Sequence, residues 1–103
     1  MQLIKKLEEK IEDEIHDIKC YAKMAAERKA EHPNLAQVLY NISVQEDAHQ
    51  AAIHGEVVKL IEDYRRKHGD PPPAMKAVYE YVHERHIEKL AEARRYQDLY
   101  KSS

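Results

Sequence analysis

The chain is 103 residues long, the size of one small domain, so a single core is expected and no modular arrangement. Charged residues make up 35% and hydrophobic residues 43%, with two Gly, four Pro, no Trp and no Phe, a balance that reads as amphipathic helix and excludes all-β and collagen-like folds. Seventeen Lys and Arg stand against 19 Asp and Glu, a formal net charge of −2 without a long block of either sign, which argues against nucleic acid as a partner.

A lone cysteine, Cys20, cannot form an internal disulfide or a Cys-rich metal site, and the start MQLIKKLEEK has basic residues but no apolar targeting core. A reducing cytoplasm fits this best. No stretch approaches the roughly 18 to 20 apolar residues needed to cross a bilayer, so a membrane is not expected as a partner.

Two punctuation marks divide the sequence, AEHPN at 30–34 and HGDPPP at 68–73, and between them the pattern is helical with no Gly or Pro except Gly55. The first helix is predicted over 2–30, the second over 33–68 and the third over 73–100. Pro33 suits the first turn of the second helix, where a missing amide proton costs nothing. Gly69 suits the left-handed residue that closes it, and the prolines behind prevent continuation. The short first connection turns helices 1 and 2 into an antiparallel hairpin.

At about 100° per residue, Leu3, Leu7, Ile11, Ile18, Tyr21 and Ala25 share one face of the first helix, and Glu14 falls among them. The other acids of that helix lie on its flanks or its far side. The second helix repeats the anomaly: Leu35, Leu39, Ile42, Ile53, Val57, Leu60 and Tyr64 define its stripe, with Glu46 and His49 near the centre. A buried, unpaired carboxylate is costly, and it either takes a proton or finds a cation. In an antiparallel hairpin, residues equally far from the turn meet, which puts Glu14, Glu46 and His49 at one level. A divalent cation held by two carboxylates and a neutral imidazole is the simplest group that satisfies all three.

The spacing Glu-x-x-His occurs twice, at Glu46-His49 and Glu80-His83, so position on the stripe carries the argument and the motif alone does not. Glu80, Glu84, Glu88 and Glu92 fall away from the third helix's face of Met75, Tyr79, Val82, Leu90 and Ala93, and none is expected to be a ligand. That helix is expected to cover the hairpin, with His86 facing the core.

With one Glu on the first helix and Glu-x-x-His on the next, the sequence resembles the ferritin-like di-iron carboxylate superfamily. Glu14, Tyr21, Glu46 and His49 match the first half of a rubrerythrin or bacterioferritin bundle, including a Tyr seven residues after the first Glu, over about residues 3–66. Full ferritin-like chains have four helices and a second Glu plus Glu-x-x-His half. This chain has three helices and no clear second half, and in its ligands it is similar to the encapsulated ferritins, which pair two half-bundles at a two-fold axis. The resemblance implies an all-α fold, a long antiparallel helical hairpin plus a third helix, with a four-helix bundle completed by dimerisation. Two copies each of Glu14, Glu46 and His49 then give six ligands for two metals, two Glu bridging and the others terminal. Such carboxylate-rich sites take iron or manganese in preference to structural zinc.

The resemblance also implies oxidation of ferrous iron by oxygen or peroxide, leaves room for an external electron donor, and gives Tyr21 a hydrogen bond to a ligand carboxylate or a metal-bound oxygen. Tyr21 reads equally as a core tyrosine. His86 and His83 read more readily as packing histidines than as ligands, Asp13 and His16 as surface charge beside Glu14, and Glu56 as a solvated edge residue. His54 and Asp47 share a flank that meets helix 3 or water. The competing reading is a non-catalytic helical assembly or adaptor protein whose inward polar cluster, with or without a structural metal, fixes register or pairing.

Overall fold

The computed structural model describes residues 2–102. They form three helices: α1 (Gln2–Arg28), α2 (Pro33–His68) and α3 (Pro73–Ser102). The first helix ends two residues earlier than the sequence predicts and the third runs two further. Pro33 opens α2, preceded by His32, whose amide donates to Arg28 O at 2.8 Å while its carbonyl accepts from Ala36 N at 2.9 Å. These two bonds link the end of α1 to the start of α2 across the turn, and no side chain caps α2. At the other end Gly69 takes φ 79°, a backbone region open to Gly at low cost, and its amide donates to Arg65 O at 2.8 Å.

The helices run up, down and up in a rod of 55 × 18 × 18 Å. α1 is the shared member. It packs along both other helices, whereas the α2 and α3 backbones scarcely approach each other. Ile4, Ile11, Ile15, Ile18, Ala22 and Ala25 of α1 are all buried. Ile4, Ile11 and Ile15 join Val57 in a core at one end, and Ala25, Ala36, Leu39 and Tyr100 form a second cluster near the α1–α2 turn. Alanines at the second cluster and at Ala22 and Ala93, all fully buried, let the helices approach closely.

The side chains of α3 fasten it to both partners. Arg94 donates two hydrogen bonds to Asp47, at 3.0 Å from Nε and 2.9 Å from Nη2, and Gln97 Nε2 donates to Ser43 Oγ at 3.2 Å. Tyr100 stacks on Tyr40 with centroids 4.6 Å apart, and its hydroxyl donates to Gln37 at 2.9 Å. Toward α1, Glu12 lies 3.0 Å from Arg85 and 3.2 Å from Lys89, and Lys19 lies 2.8 Å from Glu92. The third helix therefore covers the hairpin, with Met75, Tyr79, Val82 and Leu90 half-buried and His86 and Ala93 buried.

Two expected stripe residues fall outside the core. Leu3 is 51% exposed and Leu35 49%, while Ile4, Ile15 and Ala22, off the predicted stripe, are buried. The reason is the double partnership of α1. Its buried surface spans two faces, one toward α2 and one toward α3, so the core arc is wider than a single amphipathic stripe and is turned toward α3. Among the described residues no helix is long and apolar enough to cross a membrane.

Candidate metal centre

Glu14 projects from the middle of α1, and Glu46 and His49 project from α2 one turn apart. The hairpin brings them together: one ligand atom from each lies within 4.8 Å of the others, and among the described residues no other group of three His, Cys, Asp or Glu does so. His49 Nδ1 lies 3.6 Å from Glu46 Oε1 and 3.9 Å from Glu14 Oε2. Both distances exceed a hydrogen bond. They match the spacing of roughly 3 to 4 Å between ligands that share one ion at about 2.1 Å.

Burial grades across the cluster. The Glu14 side chain is 11% exposed, Glu46 20% and His49 59%. The expectation that all three face inward therefore holds for Glu14, in part for Glu46, and fails for His49, which stands on the rim. The cause is again α3: its packing on one side of α1 turns the buried arc of α2 toward Ala36, Ser43, Gln50 and Val57, leaving His49 beyond the edge of contact.

Glu14 Oε2 is enclosed and has no hydrogen-bond partner. Its other oxygen, Oε1, lies 3.7 Å from Lys10 Nζ, a contact the sequence could have signalled, since Lys10 precedes Glu14 by four residues on one helix. A divalent ion fits this set. It would supply the missing partner of Oε2, and two carboxylates with an imidazole are the donors a hard or borderline cation takes.

The centre opens onto a particular face. On α1, Glu12, Lys19 and Lys23 meet α3; roughly opposite run Leu3, Lys10, Asp17 and Met24, with Leu7, Glu14 and Tyr21 between that line and α2. On α2, Asp47 and His54 meet α3; roughly opposite run Leu35, Val38, Ile42, His49 and Ile53. Leu3, Met24, Leu35 and Val38 are each 46 to 55% exposed. The cluster thus sits midway along a face of the hairpin that α3 leaves uncovered, with Lys10 and Asp17 beside it and exposed apolar side chains toward either end.

Tyr21 is half-buried and packs against the cluster of Ala25, Ala36, Leu39 and Tyr100, toward the α1–α2 turn from Glu14. Asp13 and His16 are exposed, and His16 Nε2 lies 3.4 Å from Cys20 Sγ on the outer side of α1. Glu56 is exposed and pairs with Lys59 at 3.3 Å. Glu80, Glu84, Glu88 and Glu92 are exposed, and none joins the ligand group. Asp47 and His54 both meet α3. The Asp47 carboxyl titrates below its ordinary value: burial pushes it up, and hydrogen bonds from Arg94 and Gln50 outweigh that push. His54 stacks on His83, and His86 is buried beside them. Compared with protein-family models, curated proteins and solved structures, the chain matches none of them.

Proposed function

We propose that this chain is a ferritin-like metal-binding protein that pairs with a second copy of itself across the uncovered hairpin face and oxidises ferrous iron with oxygen or peroxide. The observation that carries this reading is the enclosed, partnerless Oε2 of Glu14, set with Glu46 and His49 in the middle of a hairpin face that α3 leaves uncovered. A two-fold pairing brings six ligands together. The four carboxylates then carry four negative charges, which balance two divalent ions and leave no net charge to bury. Iron or manganese suits such a donor set.

Glu14, Glu46 and His49 hold the substrate ions, and the flanking Leu, Val and Ile side chains exclude water once covered. Tyr21, seven residues beyond Glu14, is the candidate hydrogen-bond donor near the ligands. Two ferrous ions together supply the two electrons that, with two protons, reduce peroxide to two waters. The reading places the protein in the cytoplasm, in keeping with its single free, exposed Cys20.

A second reading has one observation in its favour. Lys10 lies near enough to Glu14 to offset part of its charge, so the cluster can serve as a polar register device in a helical assembly protein with no redox role. Elemental analysis after chelator-free purification, joined to a ferrous-oxidation assay, separates the two. The proposal expects about one iron or manganese per chain and oxidation that is lost in Glu46→Ala; a protein without metal that leaves ferrous iron untouched belongs to the second reading.

A further inference from the structure

We propose a second metal site, formed by His54 of α2 with His83 and His86 of α3, that takes a borderline divalent cation of the zinc class and clamps α2 to α3.

The three imidazoles border one cleft between the helices, with a volume of about 270 Å³ and Glu8 and Tyr79 on its wall. That is room for an ion and its remaining waters. His83 and His86 are three residues apart, which puts them on the same side of α3, and His54 reaches them from the antiparallel helix. The His54 and His83 ring centroids are 5.4 Å apart. Two imidazoles bound to one tetrahedral ion at about 2.0 to 2.1 Å hold their ring centres roughly 5 Å apart. The rings are near-parallel, 13° apart, and as they stand the donor atoms of the three histidines do not gather within 4.8 Å of one another, so coordination turns the imidazoles about their Cβ–Cγ bonds, a torsion with a broad minimum. His83 is exposed and His54 half-buried, which leaves both free to turn.

His86 supplies the independent indication. It is 8% exposed, and its Nε2 is enclosed with no hydrogen-bond partner. A buried imidazole nitrogen without a partner is a costly feature unless something fills it. A ring nitrogen not engaged in a hydrogen bond is the donor an imidazole offers to a metal.

The donors separate this site from the first. Nitrogen-rich sets suit zinc, nickel or copper, whereas the Glu14 centre offers mostly oxygen. An ion here joins two helices whose backbones scarcely approach each other. Its effect is to close the α2–α3 cleft at the level of Ile11, leaving the hairpin face uncovered.

The test uses the full chain carrying Glu46→Ala and His49→Ala to remove the carboxylate centre, and His16→Ala and Cys20→Ser to remove the exposed pair on α1. Zinc chloride is titrated into this protein by calorimetry, and its thermal midpoint is followed with and without zinc. The expected result is about one zinc per chain with a raised midpoint, and at least a tenfold loss of affinity on adding either His54→Ala or His83→Ala. His83 is exposed, so its variant folds, and circular dichroism verifies this. Absence of zinc binding in the four-substitution protein, or binding that neither histidine variant weakens, overturns the site; neither outcome bears on iron oxidation by the parent chain.

Discussion

Glu14 Oε2, enclosed and without a hydrogen-bond partner, lies 3.9 Å from Nδ1 of His49 on the neighbouring helix. The gap is too wide for a hydrogen bond and of the right size for an ion held between two ligands. Glu14 is therefore at once an incompletely satisfied buried group and the most enclosed member of the ligand set. Removing its charge has opposite effects on folding and on metal binding. Glu14→Leu is expected to raise stability by about 1 kcal/mol by ending the burial of an oxygen without a hydrogen-bond partner, less the 3.7 Å contact of Oε1 with Lys10, while eliminating bound metal. Thermal unfolding in chelator and metal analysis check the two halves separately; a Glu14→Leu protein less stable than the parent would show that Oε2 has a compensating partner.

Removing the outer ligands should touch metal binding alone. Glu46→Ala and His49→Ala are expected to abolish bound iron or manganese with stability changed by no more than about 0.5 kcal/mol for the exposed His49. Metal content measured beside circular dichroism decides the matter. Retention of about one metal per chain in both variants removes these residues from the ligand set.

The hairpin register and the site level were legible in the sequence because AEHPN fixes the turn and two residues equally far from a turn must meet. Pro33 and Gly69 marked the ends of α2 for stereochemical reasons that no packing overrides. The degree of burial was not legible. A stripe read from one helix assumes one partner, and α1 has two, so Ile4 and Ile15 were missed while Leu3 and His49 were placed too deep. The stacking of His54 on His83 was out of reach for the same reason, since it depends on how far α3 is rotated about its axis.

Self-association should depend on the face bearing Val38, which is 55% exposed beside Leu35. The chain is expected to be dimeric or larger at micromolar concentration, and Val38→Glu to make it monomeric with its helices intact, because a charge there must be desolvated on pairing. Light scattering across a dilution series measures this. A parent that binds metal as a monomer of about 12 kDa excludes a shared site.

Acid sensitivity should come in two steps with different owners. Burial, aided by nearby His83, His54 and Arg85, lowers the folded-state pKa of His86, against the pull of Glu12. As pH falls below about 6.5, the unfolded chain takes up this proton first, so the stability contribution of neutral His86 is complete above that value and is lost toward the lower folded pKa. Glu12 is also lowered, chiefly by its hydrogen bond from Lys89 and by Arg85, with burial opposing. Its contribution is complete above its unfolded value and is lost only below about pH 4.5. Urea unfolding between about pH 2 and 8 should show both steps, and His86→Gln should flatten the upper one and leave the lower. An unchanged upper slope in that variant assigns the step to another group.

The third helix should contribute no carboxylate to the Glu14 centre. Glu80, Glu84, Glu88 and Glu92 are all exposed, and Glu92 is held by Lys19 on the side of α1 away from Glu14. To reach the centre, α3 would have to leave its seat on α1, unpacking the half-buried Tyr79, Val82 and Leu90 together with the buried Ala93. At about 2 kcal/mol for each large side chain, that exposure outweighs one additional ligand. The four Glu→Gln variants are therefore expected to keep the parent's metal content and ferrous-oxidation rate, with only Glu92→Gln losing its contact to Lys19. Metal content and oxidation rate, measured variant by variant, are the readout. Loss of metal from Glu80→Gln or Glu84→Gln, with circular dichroism unchanged, would mean a site built from three helices of one chain, and with it the argument for a second copy would lapse.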